Sequence, residues 1–332
     1  MKTGSASGIP RTLSVHALIL ALATAAALWV WLRDRTPGAS ARHDVVVWRG
    51  RANDIDRIEL KAAKKTVVLE GKSDAAGRYW LGTATSGHEN EAPDAGAPGS
   101  AEPSRFVSVG PAGKVADKLG DLRALRDLGR VADDKAAELG LKPSEAQLVV
   151  VVRGKAHTLE LGNASPGGGD RYVREVESGS VFVIESEPVR ELEGGEHALA
   201  EHELHEFPLD PDVDRVTVIA ADRKRSFVRR GSKERRFFAD PATPDKNDEA
   251  ATTWMAKVER LRPGDLVPGE PPAGDKLRIE YAGKSGTLGF LEVLRAPGAP
   301  DVLVRSERTR VWTKVPKSLG EPVLSDALSV VR

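Results

Sequence analysis

A pattern of acidic, basic and branched residues occurs twice in this chain and limits how the chain can fold. Asp54-Ile55-Asp56-Arg57-Ile58 comes back 158 positions later as Asp212-Val213-Asp214-Arg215-Val216. Other matches follow each copy in the same order, and the gaps between them fall where turns are expected. The repeated order predicts a duplicated unit, with a single larger α+β domain of recurring hairpins as the alternative.

The separation between matching positions in the two copies decreases along the chain, from 158 residues to 139 and then to 129. They join Arg78-Tyr79-Trp80 to Arg236-Phe237-Phe238, Lys118-Leu119 to Lys257-Val258, and Gly154-Lys155 to Gly283-Lys284. The first decrease in separation is about the length of a low-complexity segment. The second corresponds to a short helix that the second copy lacks. Each gap therefore removes a peripheral segment and leaves the order of the strands intact.

Strands and one main helix make up each predicted unit. Runs of branched residues separated by glycine turns indicate antiparallel hairpins. In the first unit, the predicted strands cover residues 44–48, 55–60, 66–70, 78–81, 148–152, 157–161, 172–174 and 181–184. Apolar residues three and four apart predict helices over 115–128 and 132–141 and a short one from 188. We predict an α+β fold with two tandem copies of a sheet–helix–sheet unit whose strands are antiparallel.

A long uncharged segment precedes both units. Residues 12–32 carry no formal charge, and as a helix they reach roughly 31 Å, enough to cross a bilayer core of about 30 Å. Trp29 and Trp31 lie at its end, where aromatic rings favour the membrane interface. We predict one N-terminal transmembrane helix that serves as an uncleaved signal anchor. A cleaved signal peptide is the alternative, because Lys2 and Arg11 form a basic leader.

These features predict the domain boundaries. They are a cytoplasmic tail at 1–11, the anchor at 12–32, a linker at 33–43, the first unit at 44–195, a connector at 196–211 and the second unit at 212–332. Residues 82–104 have too little apolar content to offset the entropy of ordering, so we predict a disordered surface loop there. The positive-inside rule favours the extracytoplasmic side for both units.

Composition excludes several classes of function. Lys plus Arg and Asp plus Glu each number 49, so the net charge is zero and no basic excess indicates nucleic acid. The chain has no cysteine, which excludes disulfides, thiolate metal sites and a cysteine nucleophile. No serine is framed by a nucleophile-elbow pattern. We therefore predict no catalytic residue and no cofactor.

The connector holds the best candidate for a metal site. It contains His197, His202 and His205 together with Glu201. On a helix, Glu201 and His205 would be four residues apart and His202 and His205 three apart, so that one face could hold a metal. The spacing differs from that of a zinc protease, which needs two histidines four apart around a glutamate. A polar connector between two units is the simpler interpretation, and we adopt it.

Three other motifs have simple structural interpretations. Gly167-Gly168-Gly169-Asp170 lacks the Gly-Lys-Ser/Thr ending of a phosphate-binding loop, so a hairpin loop is expected. The Arg/Lys cluster at 223–236 is typical of a solvated edge hairpin, with contact to anionic lipid heads as the alternative. The repeated Asp-Xaa-Asp-Arg predicts turn chemistry and a local ion pair rather than a catalytic pair of carboxylates.

Several segments together resemble a known family. They are Glu138-Leu139-Gly140-Leu141-Lys142-Pro143 before a β-branched strand, Tyr172-Val173-Arg174 with Val181-Phe182-Val183, and Phe207-Pro208-Leu209-Asp210 leading into Asp214-Arg215-Val216. Over roughly residues 44–320 the chain resembles the bacterial family called domain of unknown function 4340. The resemblance implies one N-terminal membrane helix, a repeated α+β unit and no known enzymatic activity. Such proteins are often encoded beside ABC-type transport components of the gliding-motility type.

Layout and resemblance together define the expected function. We predict a non-enzymatic, single-pass protein of the bacterial inner membrane, anchored by residues 12–32, with its C-terminal units extracytoplasmic. Its expected partners are membrane proteins, an ABC permease or its ATPase, to which it is an accessory subunit. An envelope hydrolase or metal-dependent enzyme that uses the connector histidines is one alternative. A ligand- or glycan-binding module with a groove between the two units is another.

Overall fold

The strands form where apolar residues alternate with polar ones. In Ile55–Ala62, Ile58 and Leu60 are fully buried, whereas Arg57 and Lys61 face solvent. This alternation lets one face of a sheet pack on helices while the other stays solvated. The computed structural model describes residues 23–24, 45–86, 103–208, 212–232, 235–298 and 301–332.

The described strands pair with antiparallel neighbours. They are β1 (Val45–Val46), β2 (Ile55–Ala62), β3 (Lys65–Asp74), β4 (Gly77–Ser86), β5 (Ser104–Ser108), β6 (Arg123–Ala124), β7 (Arg126–Gly129), β8 (Ala146–Val152), β9 (Lys155–Ala164), β10 (Asp170–Glu175), β11 (Val181–Glu185), β12 (Arg215–Ala220), β13 (Arg223–Arg230), β14 (Phe237–Ala239), β15 (Asp275–Gly283), β16 (Gly286–Arg295), β17 (Val302–Ser306) and β18 (Thr313–Val315).

The helices lie between or after groups of strands. They are α1 (Gly110–Gly120), α2 (Asp133–Glu138), α3 (Glu187–Gly194), α4 (Glu196–Leu199), α5 (Glu249–Val258) and α6 (Lys317–Val330). A 3-10 turn at Ala52–Asp54 precedes β2.

Two large antiparallel sheets dominate the described residues. The first sheet has the order β5-β4-β3-β2-β8-β9-β10-β11-β7, and the second has the order β14-β13-β12-β15-β16-β17-β18. In both, two hairpins meet at a central pair of strands, β2 with β8 and β12 with β15. A helix, α1 or α5, occurs in the chain between these two hairpins. The predicted α+β class with antiparallel strands is therefore confirmed.

Each sheet buries its own hydrophobic core. Under the first sheet, Leu119 of α1 and Leu192 of α3 pack against strand residues, and Trp48 donates its indole N–H to the carbonyl of Leu119 at 2.7 Å. Under the second, Trp254 of α5 donates to the carbonyl of Val323 in α6 at 2.9 Å. Residues 45–332 nevertheless form one compact unit, so additional contacts join the two sheets.

One of these contacts is a strand-like segment between the sheet edges. The segment around Leu266 runs antiparallel to β18, and Leu266 bridges Thr313 there. On its other side, the N–H of Leu266 donates to the carbonyl of Arg105 in β5 at 2.8 Å. Because β5 and β18 are edge strands, this contact links the edge of the first sheet to that of the second.

The predicted helix over 115–128 is wrong beyond Gly120. A Cβ on Gly120 would lie 2.8 Å from the carbonyl carbon of Arg51, so the helix end packs directly on backbone. The chain then forms β6 and β7, which pair with β1 and β11. Leu122 is buried in the core of the first sheet. Its spacing from Leu119 therefore reflects burial and not a continuing helix.

The predicted loop over 82–104 is wrong at both ends. Residues up to Ser86 continue β4, and β5 begins at Ser104 and pairs with β4. Gly82 is required within this pairing because a Cβ there would lie 2.2 Å from the ring of Phe106. Residues 87–102 lie outside the described residues.

Two further elements depart from the predictions. The strand expected at 44–48 is limited to β1, which pairs with β6 in a separate two-stranded sheet. Helix α6 was not predicted, because Pro322 and Gly320 interrupt its pattern in the sequence. Gly320 permits the close approach of Val302, whose side chain lies 2.6 Å from the position of an added Cβ. The helices predicted at 132–141 and from 188 correspond to α2 and α3.

The predicted tail at 1–11, anchor at 12–32 and linker at 33–43 lie outside the described residues, apart from Ala23 and Thr24. Among the residues that the structure does describe, no helix combines the length and the apolar character needed to cross a membrane.

Candidate functional site

The connector histidines and glutamates do not lie on one helix. Helix α4 ends at Leu199, and residues 200–208 run on as irregular chain. The helical spacing on which the metal hypothesis depended is therefore absent from this described segment. Leu199 packs in the core of the first sheet and Leu204 in that of the second. The segment 200–208 and the turn 307–312 between β17 and β18 are called the junction below.

Glu201 is buried and turned toward the second sheet. Its Oε1 lies 2.9 Å from Nε of Arg308, with only 4% of the Glu201 side chain exposed. The other carboxylate oxygen accepts the N–H of Gly110 at 3.3 Å, at the start of α1. The N–H of Glu201 also donates to the carbonyl of Val107 at 2.8 Å. Glu201 thus joins β5, α1 and the turn 307–312.

His205 has a different acidic partner. Its Nδ1 lies 2.9 Å from Oε1 of Glu307, and a carboxylate only accepts, so this nitrogen carries the proton. The ring stacks on Phe207 at 4.9 Å between centroids and meets Tyr281 edge-on at 4.6 Å. Glu307 also accepts the N–H of Phe290 at 2.9 Å. His205 therefore fastens the connector to β15, β16 and the turn after β17.

The other two connector histidines are exposed. Nε2 of His202 lies 3.3 Å from the carbonyl oxygen of His197. Glu201 therefore contacts Arg308 and His205 contacts Glu307, whereas His197 and His202 are exposed at the surface. It does not gather the four predicted candidates around one point.

Arg310 makes the longest-range contact of the junction. Its guanidinium lies 2.9 Å from Asp74 in the β3–β4 hairpin and 3.5 Å from Glu206. It also donates to the carbonyl of Ala76 at 3.4 Å. Only 8% of the Arg310 side chain is exposed. The turn 307–312 therefore contacts both the connector and the first sheet.

A cleft of about 280 Å³ opens beside the connector. Tyr281 lines it, is fully buried, and has no hydrogen-bond partner for its hydroxyl among the described residues. Burial, with the nearby carboxylates of Glu307 and Glu259, raises the pKa of Tyr281 far above its usual value. The hydroxyl therefore stays protonated, as a buried donor without an acceptor among the described residues.

Charged groups at the end of α5, just before β14 and in β13 line or adjoin the same cleft. Glu259 forms an ion pair with Arg236. Burial raises the pKa of Glu259 although the charge and the hydrogen bond of Arg236 and the charge of Arg229 oppose the shift. Burial and repulsion by Arg236 lower the pKa of Arg229. The cleft thus combines a phenol, a desolvated ion pair and the aromatic face of Phe207.

A family comparison identifies the chain's relatives. The model described as "Domain of unknown function (DUF4340)" matches residues 112–278, half of the chain. The chain belongs to the DUF4340 family. The DUF4340 match begins within α1 and ends within β15, so it contains the connector and Glu259 but not the turn 307–312. No curated protein and no solved structure matches the chain.

The remaining motifs of this DUF4340 protein have structural partners. Asp54 accepts from Arg153 at 2.7 Å, and this hydrogen bond is the main reason why the pKa of Asp54 lies below its usual value. Asp56 caps the β8–β9 turn by accepting the N–H of Gly154 at 2.9 Å. Gly167, Gly168 and Gly169 lie in the β9–β10 hairpin loop, as predicted, and Asp170 begins β10. In the basic cluster, Arg225 pairs with Asp248 at 2.9 Å.

Two features of the DUF4340 fold were not predicted from the sequence. Tyr281 looks like an ordinary strand residue in the sequence, and only the folded structure shows that its hydroxyl is buried without a partner among the described residues. The second feature is His157, which approaches Glu175 and Glu177: one ligand atom from each lies within 4.8 Å of the others. The sequence pattern that could have predicted this cluster is a histidine in one strand of a predicted hairpin and a Glu-Xaa-Glu at the end of the next strand.

Proposed function

We propose that this DUF4340 protein is a membrane-anchored accessory subunit of a bacterial ABC-type transport complex. In this proposal, residues 12–32 anchor it in the inner membrane and residues 45–332 face the extracytoplasmic side. It acts by binding protein partners and not by catalysis. The apolar segment of the sequence and the layout implied by the family resemblance support the anchor and its location.

The contacts of the junction are the main support for a binding role. Glu201 and His205, the best candidates for chemistry in the sequence, both hold the connector to the second sheet, and Glu201 also contacts β5 and α1 of the first. Glu201 pairs with Arg308, and His205 with Glu307. Buried ion pairs often fix one arrangement more than they add stability. A body with a fixed arrangement of two sheets offers partners a constant surface.

We also propose that residues 44–195 and 212–332 are tandem copies of one unit. The order β4-β3-β2-β8-β9-β10-β11 has its counterpart in β14-β13-β12-β15-β16-β17-β18. The repeated Asp-Xaa-Asp-Arg precedes or begins the equivalent strands β2 and β12. On this view β5, β7 and α2 are additions to the first copy. Such copies leave two related surfaces that can bind different partners.

Photo-crosslinking in living cells tests the binding role at the level of residues. Among the described residues, three large apolar side chains are exposed, Leu128, Val176 and Leu328, by 41%, 50% and 48%. A photoreactive amino acid at each of them should crosslink to a membrane protein from at least one position. The exposed hairpin residue Lys284 is the control and should give no product. Absence of crosslinks from all three positions in the native host would count against the proposal.

The cleft favours a second candidate function, the binding of a small polar ligand. The fully buried Tyr281 hydroxyl has no hydrogen-bond partner within the described part of the chain, and such groups in native proteins usually meet water or a ligand. A panel of carboxylates, phosphates and mono- and disaccharides should then contain a compound that raises the melting temperature of the wild type. The same compound should have no effect on Tyr281→Phe. No stabilising compound, or equal stabilisation of the variant, would remove this candidate.

A metal-dependent hydrolase at the connector has less support. Its four candidate ligands point to different partners in the described residues. Metal analysis of the wild type and of a His202→Ala, His205→Ala variant tests this alternative. Equal metal content in the two proteins would reject the connector as the site.

A further inference from the structure

His157, Glu175 and Glu177 meet because β9 and β10 are antiparallel neighbours. Leu159 pairs with Glu175, and the N–H of Val176 donates to the carbonyl of Thr158 at 2.9 Å. Continuing this register by one more step brings His157 opposite Glu177. One ring nitrogen and one oxygen from each carboxylate then lie within 4.8 Å of one another.

The imidazole of His157 is held in place by an aromatic neighbour. It stacks on Trp48 with 4.8 Å between centroids and an angle of 21° between the planes. Trp48 is itself 5% exposed and anchored to Leu119. The Nδ1 atom of His157 is shielded from solvent and has no hydrogen-bond partner among the described residues. A shielded nitrogen without a partner is unfavourable, so a ligand that bonds to this nitrogen would remove an unfavourable feature of the fold.

The two carboxylates differ in how they are held. Glu175 accepts a hydrogen bond from the hydroxyl of Ser178 at 2.6 Å, which orients it. Glu177 is exposed, and Nζ of Lys155 lies 3.2 Å from its carboxylate. The ammonium of Lys155 is therefore a positive charge beside the place where the three ligand atoms converge.

We propose that His157, Glu175 and Glu177 bind a divalent first-row transition cation, with Zn²⁺ as the best fit. One imidazole nitrogen and two carboxylate oxygens form a donor set that suits such ions. Metal–ligand distances of about 2.0–2.2 Å require the three atoms to move closer together. The exposed side chain of Glu177 can make this movement while His157 stays fixed by Trp48. The site is separate from the connector, and it flanks the exposed side chain of Val176.

Bound Zn²⁺ ties together three parts of the first sheet. It joins β9, the end of β10 and the turn after it, and through His157 it also fixes the position of Trp48. Because the folded chain binds the ion and the unfolded chain lacks the assembled site, binding raises the stability of the fold by mass action. Lys155 opposes this binding, since a cation beside the site repels the metal.

Calorimetric titration of the full-length protein with zinc chloride, after removal of metal with EDTA, tests the proposal. We expect one equivalent to bind, and the affinity of Glu175→Gln, Glu177→Gln to fall roughly tenfold or more. His202→Ala is the matched control and should bind as the wild type does. Lys155→Gln should bind Zn²⁺ more tightly, a gain that damage to the fold would not produce. Equal affinity in the double variant, or absence of Zn²⁺ binding, would overturn the proposal.

The position of Trp48 provides a second measurement that reports on the site itself. Ni²⁺ is paramagnetic and quenches a nearby indole, so nickel chloride should lower the tryptophan fluorescence of the full-length protein. Trp48→Phe should lose this saturable quenching even though other tryptophans remain in the chain. Quenching that persists unchanged in Trp48→Phe would place the ion elsewhere and contradict the assignment.

Discussion

The guanidinium of Arg310 lies 2.9 Å from the carboxylate of Asp74, a residue 236 positions earlier in the chain. The contact joins a turn of the second sheet to a hairpin of the first, and it is largely shielded on the arginine side. It is one of the side-chain contacts that join the two sheets within the compact unit of residues 45–332.

Removing this ion pair should weaken the coupling between the sheets. In a double-mutant cycle of Arg310→Ala and Asp74→Ala, we expect a coupling free energy of about 1 kcal/mol, because the pair is partly desolvated. Urea unfolding measures it. The exposed pair Arg295 and Asp275, within the second sheet, is the control and should give about 0.5 kcal/mol or less. Equal coupling in the two cycles would contradict a special role for Arg310.

Two glycines of helix α1 should respond in opposite directions to the same substitution. Gly113→Ala has open space around it and should stabilise the fold by about 0.5–1 kcal/mol, since alanine favours the helix. Gly120→Ala should destabilise the fold by about 1–3 kcal/mol, because its Cβ meets the backbone of Arg51 and Ala52. Comparing the denaturation midpoints of the two variants with that of the wild type measures both changes in stability. A stabilising Gly120→Ala would show that the helix end is not packed on this backbone.

Glu292 should make stability depend on pH. Its carboxylate is almost fully buried, 2.8 Å from Lys276 and 2.8 Å from Arg305. Burial alone would raise the pKa of Glu292, but the hydrogen bonds and charges of these two residues outweigh it and hold the pKa below its ordinary value. Its contribution is therefore fully present above the unfolded pKa of about 4.3 and is lost as the pH falls through the lower folded value.

Glu292→Gln should accordingly cost about 1–3 kcal/mol at pH 7, where a charged hydrogen-bond acceptor is removed. The difference from the wild type should shrink as the pH falls below about 4. Urea unfolding at several pH values measures both effects. Glu280→Gln, whose carboxylate is more exposed and pairs with Arg278 at 3.1 Å, should cost about 0–1 kcal/mol. A constant cost for Glu292→Gln from pH 7 to pH 3 would refute this account.

The absence of cysteine makes the predicted sidedness directly testable. Ser285→Cys introduces one thiol into an exposed hairpin turn, and Ser5→Cys introduces one into the predicted cytoplasmic tail. A maleimide that cannot cross membranes should label the first variant in intact spheroplasts and the second only after lysis. The reverse pattern would mean that residues 45–332 face the cytoplasm. Labelling of both in intact cells would argue against an anchor in the inner membrane.

The sequence predicted the hairpins well because their signals are local. The turn between β8 and β9 was expected at Gly154, and both Arg153 and Gly154 have positive φ there. The failures arose where a tertiary contact decided the outcome. The predicted helix stopped at Gly120 because of the backbone of Arg51, and β5 formed beside a low-complexity segment because β4 offered it a free edge.

The candidate site was only partly predictable for a similar reason. The connector could be recognised as unusually rich in histidine and glutamate, but the partners of Glu201 and His205 come from a turn about a hundred residues later. Composition cannot identify such partners. The approach of His157 to Glu177 was accessible in principle, because it follows from the register of two predicted strands.

Affinity purification of the full-length protein in mild detergent, with its partners identified by mass spectrometry, tests the central claim most directly. We predict near-stoichiometric recovery of an ABC permease or its ATPase. An unrelated folded domain fused to residues 1–43 is the control and should recover neither. Recovery of the protein alone, or of the same partners with the control, would contradict a role for residues 45–332 as an accessory subunit.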